Sequence, residues 1–158
     1  MGKKLFWSLG IILVIGIFFF FTNSATGKFI AVDSFEGDIK IYKSLTCGCC
    51  EVYVNYFKGK GNSDVEVITK SDIDFIKEEY KIPQELRTCH TTILGDYFVE
   101  GHIPLEAVEK LLSEKPDILG IALPGMPYGS PGMPGNKKGD FVIYGVNHDG
   151  TYQEFMRI

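Results

Sequence analysis

The sequence predicts a single α/β domain that follows an apolar N-terminal segment. Stretches with strand-like alternation and stretches with helical spacing succeed one another along most of the chain. Residues 5–21 stand apart, because they are apolar except for one serine and two glycines. Residues 124–139 hold nine proline or glycine residues in sixteen positions, too many for a helix or a strand.

The apolar N-terminal run predicts export of the rest of the chain. It follows Lys3 and Lys4 and has 17 residues, where a membrane span needs about 20 and a signal-peptide core about 7–15. We therefore interpret residues 1–27 as a transmembrane anchor, with a cleaved signal peptide as the alternative. Because the lysines stay in the cytoplasm, the domain is expected outside it, on the cell membrane or secreted or periplasmic. Residues 28–36 are predicted to form a tether and residues 37–158 the folded domain.

The exported part is acidic. Residues 1–27 hold two lysines and no acid, so the remainder carries 14 basic and 20 acidic residues, a net charge of −6. The absence of a basic stripe argues against a nucleic-acid partner. Its length, roughly 130 residues, can bury a core without help from disulfides. This length weakens the interpretation of the four cysteines as structural disulfides.

The predicted elements follow one another as β-α-β-α-β-β-α, then the Gly/Pro-rich loop and a C-terminal hairpin. Strands are predicted at 38–44, 65–70, 91–94 and 97–100, the last two joined by a turn at Gly95-Asp96. A first helix is predicted to begin at Cys49, a second to be capped by Ser71, and a third to begin at Pro104. The first should bury one face: Cys49, Val52, Tyr53, Tyr56 and Phe57. This order predicts a thioredoxin-like domain, in which strands that flank a helix pair in parallel.

Three cysteines, Cys47, Cys49 and Cys50, crowd the turn between the first strand and the first helix. A helix N-terminus stabilises anions, and therefore favours the thiolate form of a cysteine. Thiolates serve as redox nucleophiles and as metal ligands. Three explanations stay open at this point: structural disulfides, dithiol exchange with Cys47 as nucleophile and Cys50 as resolving thiol, and metal binding.

The segment "TCHTTIL" should bring a fourth thiol to that turn. In thioredoxin-like domains the loop before the third strand lies against the C-x-x-C pair and usually carries a cis-proline. Here Cys89 and His90 occupy that place, and no proline is present. Four thiolates around one point repel one another, and a soft cation stabilises them, Cu(I) best and Zn(II) next. The missing proline also argues against a thiol–disulfide enzyme.

Weaker candidate ligands lie nearby or in the Gly/Pro-rich loop. Met126 and Met133 lie in that loop, and thioether sulfur suits Cu(I) but not zinc. His90 is a candidate ligand, or a partner of one, because it neighbours Cys89. His102 is expected to make a structural hydrogen bond, and His148 is expected to be solvated in the hairpin turn.

Three stretches of the sequence resemble a known family: "CGCC", "TCHTTILGDYFVEGHIPLEAVEKLL" and "GIALPGMPYGSPGMPG". They are similar to a bacterial family of periplasmic metal-binding proteins, long described as a domain of unknown function, that includes CopG-type copper-resistance proteins. The resemblance extends over residues 37–147. It implies a thioredoxin-like fold, a role in copper handling or resistance, and copper thiolates at Cys47, Cys49, Cys50 and Cys89.

The resulting hypothesis is a metal-binding protein rather than an enzyme. It would hold Cu(I) at its cysteines for copper resistance, sequestration or transfer to another copper-handling or redox protein. Because adjacent cysteines cannot all bind one ion with good geometry, several bridged copper ions are possible. The alternative is an extracytoplasmic thiol–disulfide oxidoreductase that uses Cys47 and Cys50, and a zinc-stabilised adaptor is a third interpretation.

Overall fold

The computed structural model describes residues 29–158, and the predicted anchor or signal peptide at 1–27 lies outside them. Within residues 29–158, no helix has the length and apolar character that a membrane crossing needs. The α-helices are α1 (Ile30–Asp33), α2 (Gly48–Lys60), α3 (Asp74–Glu79) and α4 (Leu105–Glu114). The strands are β1 (Ile39–Ser44), β2 (Glu66–Lys70), β3 (His90–Leu94), β4 (Tyr97–Glu100), β5 (Gly120–Ala122), β6 (Val142–Val146) and β7 (Tyr152–Arg157). A short 3-10 helix, Gln84–Leu86, precedes β3.

The strands form one mixed sheet of seven strands in the order β2-β1-β3-β4-β5-β6-β7. The β1–β2 pair, which α2 connects, is parallel, as predicted. The β4–β5 pair, which α4 connects, is parallel as well. Strands β2 and β3 flank α3 but do not pair, because β1 lies between them. All other neighbours are antiparallel, including the predicted β3–β4 and β6–β7 hairpins. The α/β class is confirmed, and the thioredoxin-like assignment stays a prediction.

Helices cover both faces of the sheet. Consecutive strand residues point to opposite faces, and accordingly Leu94 packs in one core cluster and Ile93 in the other. The larger cluster includes residues of α1, α2 and α4, whereas the smaller one includes residues of α3. The ends of β1, β3 and β4 that carry the cysteines and histidines therefore have α2 on one side and α3 on the other.

Helix α2 buries a different face from the predicted one. Its buried residues are Cys50, Tyr53, Val54 and Phe57, while Val52 is 54% exposed and Cys49 is half-buried. Both sets have helical spacing, so the sequence pattern fitted either face. Tyr53 and Phe57 belong to both sets, and the burial of Val54 distinguishes the observed face, which turns Cys50 inward and leaves Cys49 nearer the surface.

Three further local features differ from the sequence-based expectation. The predicted tether contains α1, whose Val32 is fully buried in the core. Strand β5 was not predicted, since three residues are too few to show a period. Helix α3 begins at Asp74, and the carboxylate of Asp72, rather than Ser71, accepts a hydrogen bond from the Asp74 N–H at 2.8 Å.

Replacing Glu109 on α4 with alanine is expected to loosen α1 without disturbing the sheet. The carboxylate accepts hydrogen bonds from the N–H groups of Ala31 at 3.0 Å and Val32 at 3.1 Å, in the first turn of α1. Loss of such a cap costs about 1 kcal/mol. Hydrogen exchange should therefore accelerate at residues 31–33 in Glu109→Ala and stay unchanged in Glu114→Ala, a control at an exposed glutamate of α4. Identical exchange in the two variants would contradict this role of Glu109.

Candidate metal centre

The cysteine turn is built on the N-terminus of α2. Cys47 is the residue that caps this helix, and its Sγ accepts a hydrogen bond from the Cys50 N–H at 3.3 Å. Cys49 and Cys50 lie in the first turn, as predicted, and the helix begins one residue earlier than predicted, at Gly48. The Sγ atoms of Cys47 and Cys49 lie 3.4 Å apart. Three sulfur atoms are therefore gathered by one turn of helix.

Cys89 adds the fourth sulfur from the residue directly before β3. Its Sγ lies 3.3 Å from the Sγ of Cys50. The Sγ atoms of all four cysteines lie within 4.8 Å of one another. The predicted convergence of position 89 on the cysteine turn is thus what the structure shows.

The oxidation state of the cysteines differs from the predicted set of four thiolates. Cys47 and Cys50 are joined in a disulfide, while Cys49 and Cys89 are free thiols. A disulfide sulfur cannot become a thiolate, so in this state two cysteines remain that could do so. Sequence reasoning had left dithiol chemistry at Cys47 and Cys50 open, and the close approach of the sulfur atoms accommodates either form.

His102 is a candidate ligand that the sequence analysis had assigned to a structural hydrogen bond. Its Nδ1 does make that bond, donating to the carbonyl of Pro131 at 2.7 Å. A carbonyl can only accept, so the proton resides on Nδ1 and the lone pair of the neutral ring is on Nε2. That Nε2 lies 3.7 Å from the Cys89 Sγ, which leaves it available to a metal.

A sequence signal for His102 existed in the predicted hairpin. A two-residue turn at 95–96 fixes the register of β3 against β4. The structure shows that register, with Thr91 opposite Glu100. Continued by two residues, the same register places position 102 opposite position 89. The hairpin therefore predicts that His102 lies beside Cys89.

His90 is buried beside the cysteines. It is fully buried, its ring centroid is 4.5 Å from that of Tyr53 and 4.7 Å from that of His102, and its Nδ1 is 3.8 Å from the Cys89 Sγ. Among the described residues, its Nε2 has no hydrogen-bond partner. Cys89, His90 and His102 thus form a second group of candidate ligands, with sulfur and nitrogen donors, which shares Cys89 with the four-cysteine cluster.

The Gly/Pro-rich loop brings one of its two methionines to the centre. The Sδ of Met126 lies 3.4 Å from the Cys89 Sγ, and Met126 is 37% exposed. Met133 instead takes part in a turn, in which its N–H donates to the Ser130 carbonyl. The structure therefore separates the two predicted weak ligands, since only the Met126 sulfur lies against a cysteine among the described residues. His148 lies away from the centre and contacts Asp117 at 2.9 Å.

Gly132 allows the Gly/Pro-rich loop to contact the first turn of α2. A Cβ at this position would lie 2.9 Å from both the Cys49 carbonyl oxygen and the Tyr53 backbone nitrogen, and 3.2 Å from the His102 Nδ1. Its φ of +85° is also one that side chains disfavour. Only glycine allows the loop to approach the metal centre this closely.

Burial sets the protonation states of the centre. It raises the pKa of the Cys89 thiol, and the neighbouring Cys49 raises that pKa further. Burial lowers the pKa of His90, with the charges of His102 and Lys77 adding to the effect, and it also lowers the pKa of His102. Both imidazoles are therefore neutral at pH 7, the form that binds metals. Metal binding at Cys89 displaces a thiol proton.

The donor set has a clear chemical preference. Cysteine sulfur, thioether sulfur and imidazole nitrogen are soft or borderline ligands, which suit Cu(I) first and Zn(II) second. Hard cations such as Mg²⁺ and Ca²⁺ need several oxygen ligands. The centre described here is assembled from sulfur and nitrogen donors, so it fits a soft metal.

Comparison with known proteins gives a consistent picture. Residues 86–133 match a family described as "Protein of unknown function, DUF411". A solved structure described as copper resistance protein CopG, form 2, is 30% identical, with a TM-score of 0.70 over 77% of this chain and 98% of its own. The form 1 structure is 29% identical, with a TM-score of 0.65 over 78% of this chain and 98% of its own. No curated protein matches the chain.

Replacing Gly132 with alanine is expected to lift the loop from α2 and uncover the thiols. The added methyl group would meet backbone atoms that cannot move aside. Alkylation of Cys49 and Cys89 by iodoacetamide, followed by peptide mass spectrometry, should be faster in Gly132→Ala than in the wild type. Gly139→Ala is the matched control, because Gly139 also has a positive φ but has no atom within 4 Å of its would-be Cβ. If alkylation is accelerated equally in both variants, backbone strain is responsible rather than loss of the contact between Gly132 and α2.

Proposed function

This chain belongs to the family of the CopG copper resistance proteins, and from that premise we propose that it binds copper as Cu(I) outside the cytoplasm. The cysteine cluster is the proposed binding site, with Cys47, Cys49, Cys50 and Cys89 as thiolate ligands in the reduced protein. Copper is the cargo in this proposal. The protein holds it for resistance, sequestration or transfer to a copper-handling or redox partner.

One observation carries the proposal: four cysteine sulfurs lie within 4.8 Å of one another, with the Met126 thioether 3.4 Å from Cys89. A structural disulfide needs two cysteines, and a zinc site has no use for a thioether. Cu(I) is the soft metal that uses both kinds of sulfur. The neutral imidazole of His102 adds a nitrogen donor on the inner side of Cys89.

Copper loading is coupled to the state of the Cys47–Cys50 disulfide. Two electrons and two protons convert the disulfide to two thiols, and an extracytoplasmic dithiol that becomes a disulfide is the reductant class we propose. The reduced centre has four thiols, and the oxidised centre has two. We therefore expect the reduced protein to bind Cu(I) more tightly.

The proposed cellular location of the protein rests on the residues that precede the described domain. We propose that residues 1–27 direct the domain out of the cytoplasm and either anchor it in the membrane or are cleaved. An extracytoplasmic site suits a copper-binding role, since copper is then held before it reaches cytoplasmic thiols. The acidic domain, with a net charge of −6, has no feature suited to nucleic acid.

A second candidate function rests on the disulfide itself. Cys47 and Cys50 have the C-x-x-C spacing at a helix N-terminus, and they are bonded in the structure. In this alternative, the Cys47 thiolate attacks a substrate disulfide, and Cys50 resolves the mixed disulfide. Cys50 is fully buried and Cys47 is half-buried, an arrangement that leaves Cys47 the accessible thiol.

Cys89→Ser is expected to abolish tight Cu(I) binding. The reduced full-length protein, purified in detergent and kept anaerobic, would be titrated against a Cu(I) chelator of known affinity. Loss of a neighbour that merely orients a metal ligand lowers affinity by about 10–100-fold, so loss of a thiolate ligand should lower it by at least about 100-fold. Unchanged affinity in Cys89→Ser would refute the proposed site.

The two loop methionines provide a matched pair for the same titration. Met126→Leu removes the thioether that contacts Cys89 and is expected to weaken Cu(I) binding. Met133→Leu makes the same chemical change in the same loop, at a methionine held in the turn that bonds its N–H to the Ser130 carbonyl, and should bind as the wild type does. Equal affinities for the two variants would show that Met126 is not a copper ligand.

An insulin-reduction assay distinguishes the two candidate functions. The copper-binding function predicts no turnover with a dithiol as electron donor, in the wild type and in Cys89→Ser alike. Turnover that depends on Cys47 and is indifferent to Cys89→Ser would instead support the oxidoreductase.

A further inference from the structure

A buried ion pair joins α3 to the end of β4, beside the residues that flank Cys89 and His90. Lys77 on α3 is 2% exposed, and Glu100 at the end of β4 is fully buried. The Lys77 Nζ donates to a Glu100 carboxylate oxygen at 2.6 Å and to the Thr91 hydroxyl at 2.9 Å. Because strand residues alternate between faces, Thr91 and Glu100 point towards α3, whereas His90 points towards Tyr53 of α2. The pair therefore lies on the opposite face of the sheet from the His90 ring.

The Glu100 carboxylate holds the chain on both sides of the Cys89–His90 dipeptide. One of its oxygens accepts hydrogen bonds from the backbone N–H of Thr88 and from the Thr88 hydroxyl, the latter at 2.9 Å. The other oxygen accepts from the Thr91 hydroxyl at 2.6 Å. Thr88 directly precedes Cys89, and Thr91 directly follows His90. One side chain thus fixes the residues that flank a proposed ligand.

Stability alone does not account for this arrangement. Burying two charges removes their hydration, which offsets most of their attraction, and well-packed apolar residues commonly serve a fold equally well. Charge-assisted hydrogen bonds are short and directional, so they fix geometry. Here each of the carboxylate bonds other than the one from Lys77 goes to a residue adjacent to Cys89 or His90. We call the Glu100 carboxylate, with its bonds to Thr88 and Thr91, the clamp. Lys77 neutralises the negative charge of this carboxylate.

We infer that Glu100, neutralised by Lys77, is a positioning residue that holds Cys89 and His90 against the cysteine turn. The inference rests on the proposed copper function. Glu100 donates no atom to the metal and acts through Thr88 and Thr91. Side chains that orient metal ligands in this way commonly change metal affinity by about 10–100-fold when they are removed.

The first test compares three variants of the full-length protein by anaerobic Cu(I) titration. Lys77→Met with Glu100→Ala removes the clamp without leaving an unpaired buried charge, and affinity is expected to fall at least about tenfold. Lys77→Met with Glu100→Gln keeps the shape, one oxygen that accepts from Thr88, and an NH2 group that can donate to the Thr91 hydroxyl, so it should recover most of the affinity. Ile143→Val, a buried substitution in β6, controls for loss of stability and should leave affinity unchanged.

The second test measures the position of Cys89 without copper. In a Cys47→Ser, Cys49→Ser background, diamide takes two electrons and two protons from Cys50 and Cys89 and joins them in a disulfide, since their sulfurs are 3.3 Å apart. The Lys77→Met, Glu100→Ala change is expected to slow this cross-linking, and Ile143→Val is not. If the Ala variant does not fold, Thr88→Val with Thr91→Val replaces it, with a change in the same direction expected.

The outcomes separate the two proposals. Equal copper affinity and equal cross-linking rates in the clamp variants and the wild type would overturn the positioning role and leave the copper function standing. Failure of the wild type to bind Cu(I) would overturn the copper function. In that event the cross-linking rates still decide whether Glu100 positions Cys89.

Discussion

The hydrogen-bonded register of β1, β3 and β4 is the constraint on which the metal centre depends. His90 pairs with Lys43 across β1, and Thr91 pairs with Glu100 across β4. One step further along the first register, Cys89 lies beside the end of β1, where the cysteine turn begins. Two steps further along the second register, Cys89 lies opposite His102. A slip by one residue would turn the side chain of position 89 to the opposite face of the sheet. Donors from distant parts of the chain therefore meet because backbone hydrogen bonds fix which residues are neighbours.

Around this framework, two packing contacts decide which donors face inward. The buried face of α2 turns Cys50 towards Cys89 and leaves Cys49 half-buried. The Gly/Pro-rich loop then covers the turn, with Gly132 on the α2 backbone and Met126 against Cys89. The result is a centre in which both histidines and Cys50 are buried, Cys47, Cys49 and Cys89 are half-buried, and Met126 is the most exposed donor.

The two candidate functions use the same geometry in different oxidation states. A C-x-x-C pair at a helix N-terminus is suited to dithiol exchange. The additional sulfur atoms of Cys49, Cys89 and Met126 are not needed for that chemistry, whereas each of them adds a soft donor for Cu(I). The membership of the chain in the CopG family points in the same direction. The redox state of the Cys47–Cys50 pair then determines how many thiolates the centre can offer.

The sequence by itself determined the α/β class, the cysteine turn at the start of α2, the β3–β4 hairpin and the approach of Cys89, because these follow from local periodicity, turn chemistry and the order of elements. It also contained the hairpin register that places His102 beside Cys89. Only the tertiary structure decided which face of α2 is buried and which loop methionine reaches the cysteines. Both features depend on packing between residues far apart in the chain. A periodic pattern in the sequence carries no information about such contacts.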